Sequence, residues 1–316
     1  MRLDAMKTDS TGKDRQGHFQ GKQYGIAICT VLLALLLPSC APSHSDRVVI
    51  GSKNFTESLM LGELLAQLVE SRSQVKVERR FYLAGTYICQ QAMLAGRIDI
   101  YPEYTGTALT AILKQKVAGD KSQVYPQVKR EYEKRFGLTL GPPFGFNDTF
   151  AMEIRGDDAR RLNLKTLSQA AAFAPHWRAG FGYEFMERPD GYAGLAAAYG
   201  LDFAAPPRVM DLGLLAPALK DHQIDIAAGN ATDGLIPALD LFVLEDDRHY
   251  FPPYEAVAVV RLQTLQEHPE VSQAIAALGG KISDQEMQKL NYALDAQHQD
   301  AKNVAHQFLH SKGLVQ

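Results

Sequence analysis

The sequence predicts an α/β protein with two lobes that are joined by two crossing segments. Short β-branched runs alternate with helical patterns from Arg47 onward, which is typical of parallel sheets with flanking helices. Two extended segments, residues 147–154 and 250–260, would carry the chain into a second lobe and back. A stretch near residue 95 is echoed near residue 220, which favours two lobes of similar construction.

The first lobe begins with a buried strand at residues 47–51, because this run is short, β-branched and ended by glycine. Thr56 and Ser58 are candidate caps of the helix that follows, whose leucines recur at helical spacing. Further elements are expected as a strand at 75–83, a helix at 86–95, a strand at 98–101, and helices at 107–113 and 125–136.

The second lobe starts after Gly141-Pro142-Pro143, which ends any regular element. Its elements are expected as helices at 164–173, 191–199 and 214–220, and strands at 178–181, 208–210, 224–227 and 241–244. Residues 245–247 form an acidic turn before the return crossing, and the chain is helical from His268 onward.

The internal echo joins Ala-Met-Leu-Ala-Gly-Arg-Ile-Asp-Ile (92–100) and Ala-Leu-Lys-Asp-His-Gln-Ile-Asp-Ile (218–226). Each copy would end a helix and enter a strand followed by a loop of small residues. Two such lobes facing each other would make a hinged binding protein. Two ordinary strand–helix units explain the echo equally well, so the echo alone does not decide.

Composition and charge limit the classes of function. The chain has 316 residues, 46% hydrophobic and 22% charged, which is enough for two hydrophobic cores. Its formal net charge of -3 gives no basic footprint for nucleic acid or for an acidic membrane surface.

The first forty residues predict export. Residues 26–37 are almost entirely apolar but too short to span a bilayer comfortably, as in a signal-peptide core. Leu-Pro-Ser-Cys (37–40) resembles a bacterial lipobox, although Pro38 departs from the usual pattern. We therefore expect a lipoprotein signal peptide at 1–40, a tether at 41–46 and lipidation at Cys40. An uncleaved anchor helix is the alternative, and translation from Met6 is an alternative start.

Cys89 has no partner for an intrachain disulfide, because Cys29 lies in the signal peptide and Cys40 would carry the lipid. Its place in a helical pattern predicts a packing residue rather than a nucleophile.

A loop after the strand at 98–101 is the first candidate for ligand contact. The break at Tyr101-Pro102 would place Glu103, Tyr104 and Thr107 outside the carboxyl end of a strand, where α/β proteins bind ligands. Two tyrosines and a carboxylate in this position suit a cationic ligand.

Motifs of enzymes and of metal or cofactor sites are missing from the sequence. It has no Gly-x-Ser-x-Gly, no phosphate-binding glycine loop and no His-Glu-x-x-His. A binding protein is therefore favoured over an enzyme, and no cofactor or metal is expected. Acid–base pairs that assemble from distant positions leave the enzyme alternative open.

Eight segments together resemble a known family. They are Val-Ile-Gly-Ser-Lys-Asn-Phe-Thr-Glu-Ser (49–58), Ala-Gly-Thr (84–86), Tyr-Pro-Glu-Tyr-Thr-Gly-Thr (101–107), Gly-Phe-Asn-Asp-Thr-Phe-Ala (145–151), Arg-Pro-Asp-Gly (188–191), Thr-Asp-Gly (232–234), Leu-Glu-Asp-Asp (244–247) and Phe-Pro-Pro-Tyr (251–254). From about Arg47 to the C-terminus the chain resembles the substrate-binding proteins of ABC importers for glycine betaine, choline and related quaternary ammonium osmoprotectants, in the OsmF/YehZ-like branch.

The resemblance implies an aromatic cage for a methylated ammonium group. Tyr104 and Tyr254 match two tyrosines of that cage. Phe150 stands where high-affinity members have tyrosine, and Asn230 stands where they have another tyrosine. One wall of the cage is therefore missing, and the ligand is a related solute or one bound weakly. Tyr104 and Tyr254 as packing tyrosines are the alternative.

The resemblance also implies polar ligand contacts. Lys53, Thr107 and Arg188 match residues that bind a ligand carboxylate, and Asp148 matches an acidic neighbour of the cage. Arg188 in a surface salt bridge and Asp148 as the cap of a helix or turn are the alternatives.

The implied architecture is a two-lobed periplasmic-binding-protein fold of type II with a double crossover hinge. Lobe 1 would contain residues 47–146 and 252–316, and lobe 2 residues 147–251. The partners would be a small zwitterionic or cationic solute, an ABC permease with its ATPase, and the membrane through the lipid anchor. Because of Asn230, a choline-like cation, ectoine or a basic amino acid is the alternative solute. A bilobal sensor or enzyme is the alternative class.

Overall fold

The computed structural model describes residues 46–116 and 120–316. Cys40, the predicted signal peptide and most of the tether lie outside these residues. No helix in the described part of the chain is long and apolar enough to cross a membrane.

Within the described residues, ten strands form two mixed sheets. The strands are β1 (Arg47–Gly51), β2 (Lys76–Arg80), β3 (Ile100–Tyr104), β4 (Leu138–Leu140), β5 (Phe150–Arg155), β6 (Ala179–Phe181), β7 (Arg208–Val209), β8 (Ile226–Asn230), β9 (Leu241–Leu244) and β10 (Ala256–Arg261). The first sheet has the order β2-β1-β3-β10-β4, and the second has the order β7-β6-β8-β5-β9.

Helices flank both sheets. They are α1 (Thr56–Arg72), α2 (Thr86–Leu94), α3 (Val124–Phe136), α4 (Gly156–Leu162), α5 (Leu167–Ala170), α6 (Tyr183–Glu187), α7 (Tyr192–Tyr199), α8 (Leu212–Lys220), α9 (Leu235–Ala238), α10 (Leu262–Glu267), α11 (Glu270–Ala276), α12 (Asp284–Asp295) and α13 (Ala301–Ser311). A helical turn at Thr105–Thr107 continues as a π-helix at Ala108–Ile112, and 3₁₀ turns lie at Lys121–Gln123 and Ala174–His176.

The chain crosses between the sheets twice, from β4 to β5 and from β9 to β10. The two crossing segments run side by side, because Asn147 bridges Glu255 and the Asp148 N–H donates to the carbonyl of Tyr254 at 3.1 Å. The predicted two-lobed α/β fold with two crossings is confirmed. The residue limits given above for each lobe stay a prediction.

The internal echo marks equivalent positions in the two sheets. Asp99 precedes β3 and Asp225 precedes β8, and each of these strands lies between a parallel and an antiparallel neighbour. Asp99 pairs with Arg261 at the end of β10, and Asp225 pairs with Arg155 at the end of β5. The echo is therefore a repeated structural unit in which a carboxylate ties two strands together.

The core of the first lobe is built on α1. Its side chains Met60, Leu61, Leu64 and Leu65 are fully buried, and the helix packs against α11, α12 and α13. Cys89 is also fully buried, and burial raises the pKa of its thiol to about 12. The prediction that Cys89 is a packing residue is confirmed.

The predicted break at Tyr101-Pro102 is wrong, because β3 continues to Tyr104 and pairs Pro102 with Ala258 of β10. On its other side β3 pairs with β1 only at Ile100. Pro102 thus lies where β3 has a free edge, the position at which a strand tolerates proline.

The expected caps of α1 are also wrong. Phe55 occupies the N-cap position without a side-chain hydrogen bond. The Thr56 hydroxyl instead donates to Asp295 of α12, and the Ser58 hydroxyl accepts from the Lys53 N–H at 2.8 Å. Ser58 thereby fixes the loop that carries Lys53.

Several predicted elements have shorter or shifted limits in the structure. The strand expected at 75–83 covers five residues in β2, and the helix expected at 164–173 covers four in α5. The strand expected at 224–227 begins later and extends to Asn230.

Candidate functional site

A cavity of about 280 Å³ lies where the two sheets face each other. Side chains from both sheets line it, so it is a cleft between the lobes. All eight predicted ligand-binding residues are among those that line it: Lys53, Tyr104, Thr107, Asp148, Phe150, Arg188, Asn230 and Tyr254.

The topology explains why these residues meet. Tyr104 ends β3 and Asn230 ends β8, and both strands run parallel to a neighbour in their sheet. Phe150 begins β5, which is antiparallel to β8. Tyr254 lies two residues before β10, which is antiparallel to β3. The amino ends of the antiparallel strands therefore lie at the same edge as the carboxyl ends of the parallel ones.

Lys53 reaches the cavity from the loop after β1 and is only 3% exposed. Its ammonium group pairs with Glu103 and lies 4.9 Å from the centroid of the Tyr104 ring. An ammonium group has three N–H donors, so two remain after the pairing with Glu103. Lys53 can therefore hold an anionic group of a ligand beside an aromatic face.

Tyr104 is held from both its hydroxyl and its ring. The hydroxyl donates to Glu57 Oε1 at 2.7 Å, and the ring stacks against Phe55 at 6.4 Å between centroids. Burial and the charge of Glu57 raise the pKa of Tyr104 well above its usual value. Tyr104 is consequently a neutral, fixed aromatic wall.

Arg188 stands at the centre of a buried polar cluster. Its Nε and Nη2 donate to the two oxygens of Asp190, and Nη1 donates to Thr107 Oγ1 at 3.0 Å. Asp190 also accepts from the hydroxyls of Thr110 and Tyr254. Because Arg188 is only 5% exposed, the alternative of a surface salt bridge is wrong.

The electrostatics of this cluster keep Asp190 ionised. Burial by itself raises the pKa of Asp190, but the hydrogen bonds and the charge of Arg188 bring it below the usual value. Two guanidinium N–H groups of Arg188 have no partner among the described residues, which leaves donors for a ligand carboxylate.

Phe150 lies in a group of aromatic rings on the second lobe's side. It contacts Phe185 at 4.8 Å and Tyr254 at 5.6 Å between centroids. The guanidinium carbon of Arg188 lies 4.9 Å from the Phe150 ring and 5.7 Å from the Tyr254 ring. The Arg188 guanidinium group thus covers part of the faces of these two rings.

The strand expected at 224–227 would leave Asn230 in the loop of small residues that follows it, and the structure corrects this. It is the last residue of β8 and pairs directly with Phe150 of β5. Its side chain is half-buried and lines the cavity, and in the described part of the chain its amide makes no side-chain hydrogen bond. It therefore presents polar atoms beside the Phe150 ring.

Asp148 lies on the first crossing segment and is 6% exposed. Its Oδ1 accepts from the backbone N–H of Thr232 at 3.2 Å, which agrees with the alternative that it fixes a turn. Burial, and next the charge of Glu57, raise the pKa of Asp148 well above its usual value. This rise in pKa makes Asp148 a poorer counter-ion for a cation than an ordinary aspartate.

Sequence reasoning missed other residues that line the cavity or support it. Phe55 and Glu57 lie in the motif at 49–58 and Asp190 lies in the motif at 188–191, so position within these motifs was an available signal. Tyr183, Glu184 and Phe185 come from α6, and no motif in the sequence pointed to them.

One of these residues connects the lobes directly. The carboxylate of Glu184 accepts the backbone N–H of Thr86 at the start of α2 at 2.5 Å. A Cβ on Gly85 would lie 2.1 Å from Glu184 Oε1, so only glycine leaves room for this contact. Glu184 and α2 therefore form a latch between the lobes, which helix-dipole attraction strengthens.

The described residues contain no group of three or more His, Cys, Asp or Glu side chains arranged to hold a metal ion. The chemistry available at the site is that of aromatic faces, two buried cations, and amide and hydroxyl groups. These groups suit reversible recognition of a small charged solute.

Comparison with known proteins identifies the family. Residues 46–311 match the model of the substrate-binding domain of ABC-type glycine betaine transport systems. The chain belongs to this OpuAC family. As a substrate-binding component of an importer, it belongs to an extracytoplasmic class of proteins that work with permeases.

The chain is similar over nearly its whole length to a carnitine transport binding protein, OpuCC, of Listeria monocytogenes. The two are 38% identical over 91% of this chain and 96% of the relative. It is also 34% identical to the ergothioneine transport permease/ergothioneine binding protein EgtU of Helicobacter pylori, over 84% of this chain and 48% of that protein.

Among solved structures, it resembles a glycine betaine/carnitine/choline ABC transporter protein with a TM-score of 0.71. That match has 34% identity and covers 84% of this chain and 99% of the other.

Proposed function

We propose that this protein binds glycine betaine or a related quaternary ammonium solute in the cleft and delivers it to an ABC permease that is driven by an ATPase. The observation that carries the proposal is that aromatic rings from both lobes lie beside two buried cations in one cavity. Lys53, Tyr104, Thr107, Asp148, Phe150, Arg188, Asn230 and Tyr254 are the proposed binding residues.

The aromatic rings supply what a trimethylammonium group requires. Such a group has no N–H to donate, so it is held by ring faces, each worth about 0.5–2 kcal/mol. Tyr104 and Tyr254 are both almost fully buried and positioned by hydrogen bonds to carboxylates. Rings that are already ordered lose little entropy on binding.

The cations supply what the carboxylate of a betaine requires. Lys53 and Arg188 each retain donors after their pairing with Glu103 and Asp190. Charge-assisted hydrogen bonds to a carboxylate are about twice as strong as neutral ones. A ligand with both a methylated ammonium and a carboxylate therefore uses the whole site.

A longer solute is the second candidate, and Asn230 favours it. Its amide offers a donor and an acceptor where an aromatic ring would complete a cage around glycine betaine. The relatives named for carnitine and ergothioneine support a larger methylated ammonium compound with further polar groups. Choline-like cations, ectoine and basic amino acids are the other solutes to test.

A panel of these solutes tests the proposal. Thermal-shift measurements followed by titration calorimetry should show saturable binding of at least one quaternary ammonium compound and none of non-methylated analogues. Stabilisation only by basic amino acids would refute the quaternary ammonium assignment. Recovery of the bound solute unchanged would separate a binding protein from an enzyme on the same fold, and solute uptake in cells that carry the permease would separate it from a sensor.

Export and anchoring complete the proposal. Cys40 would carry a lipid that holds the protein on the outer side of a bacterial membrane, with residues 41–46 as the tether. We expect the Cys40→Ser variant to leave the membrane fraction or to remain unprocessed. Membrane association unchanged in this variant, with an N-terminus upstream of Cys40, would refute lipidation.

A further inference from the structure

The hydroxyl of Tyr104 belongs to a buried hydrogen-bond network of polar groups that joins the two lobes. Glu57 of α1 accepts from it, and Asp148 lies on the first crossing segment. Both carboxyls approach one hydroxyl, that of Thr232, which follows β8. Thr232 Oγ1 lies 2.8 Å from Asp148 Oδ1 and 2.5 Å from Glu57 Oε2.

The geometry of this network indicates how many protons Glu57, Asp148 and the Thr232 hydroxyl hold together. A threonine hydroxyl has one proton, so it can donate to only one of the two carboxyls. The other contact is satisfied only if that carboxyl is protonated and donates to the hydroxyl oxygen. Two ionised carboxylates would also repel each other at a site where Glu57, Asp148 and Thr232 are all buried.

The hydrogen-bond donors indicate which carboxyl holds the proton. Glu57 accepts from the hydroxyls of Tyr104 and Thr232 and from the amide of Asn291 at 2.8 Å. Asp148 accepts one further bond, from the Thr232 N–H. Negative charge is favoured where more donors converge, which places the charge on Glu57 and the proton on Asp148.

We propose that Glu57 and Asp148 share one proton through Thr232, that Glu57 is a positioning residue for Tyr104, and that ligand affinity falls when the shared proton is lost. The last statement rests on the proposed function, because it requires Tyr104 to contact the ligand. Burial raises the pKa of both carboxyls, in agreement with a retained proton.

The charged groups around the pair oppose its deprotonation. Asp233 follows Thr232, Glu153 lies buried on β5, and Asp295 of α12 accepts from Thr56 on α1. Lys53 lies over the Tyr104 ring, but it is already paired with Glu103. No free cation among the described groups compensates a second charge at this position.

Loss of the proton would disturb Tyr104 for a structural reason. Thr232 cannot follow either carboxyl, because Asn291 of α12 donates to its carbonyl at 2.9 Å. Repulsion would therefore move Glu57 away from Asp148 and from the Tyr104 hydroxyl. The ring would lose its hydrogen-bonded position beside the cavity.

The test is a titration of choline and glycine betaine by calorimetry from about pH 5 to about pH 9, a range in which neither solute changes its charge. For the wild type we expect Kd to rise by up to about tenfold for each pH unit above the pKa of the pair. In Asp148→Asn the side chain has no proton to lose in this range, so the profile should be flat. In Glu57→Gln one carboxyl oxygen is replaced by an NH2 group, which must face either the Asn291 amide or the Tyr104 hydroxyl that donates to Glu57, so Kd should rise by about tenfold at every pH.

Asp233→Asn is the matched control. Burial raises the pKa of Asp233 to about 6, so this neighbour titrates within the range tested. The control should retain the rise in Kd, because it leaves the shared proton in place. A flat wild-type profile, or a rise that disappears in Asp233→Asn and persists in Asp148→Asn, would overturn the proposal.

Two measurements without ligand keep the proposal separate from the proposed function. If neither solute binds, the proposed function fails, while carbon-13 NMR of the labelled wild-type carboxyls still reports whether one is protonated near neutral pH. Two ionised carboxyls would overturn the shared proton. Thermal unfolding gives the second readout. Because the pKa is raised in the folded state, this stabilisation is present at low pH and is lost as pH rises through the folded value, and Asp148→Asn should lack that loss.

Discussion

Replacement of Asn230 by tyrosine tests how the cavity selects its ligand. Asn230 pairs directly with Phe150 between β8 and β5. Side chains directly opposite each other in an antiparallel pair lie on one face, with Cβ atoms about 5 Å apart. Asn230→Tyr would therefore place a second ring beside Phe150, on the wall where the site now has an amide.

The expected gain follows from the number of ring faces. One added face on a methylated ammonium is worth about 0.5–2 kcal/mol. Ordering the new side chain on binding costs about 0.5–1.5 kcal/mol. For a well-aligned, desolvated ring worth about 2 kcal/mol the net gain is about 1 kcal/mol, which corresponds to a Kd for glycine betaine about fivefold lower.

Titration calorimetry with glycine betaine on the wild type, Asn230→Tyr and Asn230→Leu provides the measurement. Leucine adds apolar bulk without a π face, so only the tyrosine variant should bind more tightly. A phenol that blocks closure would cancel the gain, and small-angle X-ray scattering with and without ligand would detect this. Tight binding by the wild type with no gain in a tyrosine variant that still closes would refute the reasoning.

Three further predictions follow from the same cleft and its lobes. Arg188→Ala should weaken the binding of glycine betaine more than that of choline, and it should lower the Tm because Asp190 stays buried without its cation. Equal losses of affinity for both solutes would show that Arg188 has a structural role only. Gly85→Val should break the contact with Glu184 and leave the liganded protein more open in X-ray scattering, whereas Gly213→Ala, which meets no neighbouring atom, should not; unchanged closure would refute the latch. Burial raises the pKa of Asp225, but hydrogen bonds from two arginines bring it down to about 2. The stabilisation from Asp225 is therefore present above the pKa of the unfolded state and is lost as pH falls towards 2. Asp225→Asn should lower the free energy of unfolding in urea by about 1–2 kcal/mol at neutral pH and lose less stability in acid than the wild type, and an unchanged acid profile would contradict this.

Local sequence patterns were enough to predict the class of fold. Alternating strand and helix patterns are local, because each depends on residues two to four positions apart. The two crossings, and the echo around Asp99 and Asp225, could be predicted for the same reason, because each crossing and each copy of the echo is a short contiguous segment. The motif resemblance then placed eight residues at one site, and the structure brings all eight to one cavity.

The contacts that each of these residues makes could not be predicted from the sequence and are seen only in the folded protein. No local pattern shows that Arg188 lies over Phe150 and holds Asp190, or that Asn230 ends a strand opposite Phe150. Pro102 predicted a strand break, because the residues around it do not show that it lies at a free edge of β3. That edge is free because β1 pairs with β3 only at Ile100. Sequence analysis assigned no role to Glu57 beyond its place in the motif at 49–58, because its meeting with Asp148 and Thr232 depends on three segments that are far apart in the chain. Burial and proximity across the fold set the charge of such groups, and neither is a property of a local stretch of sequence.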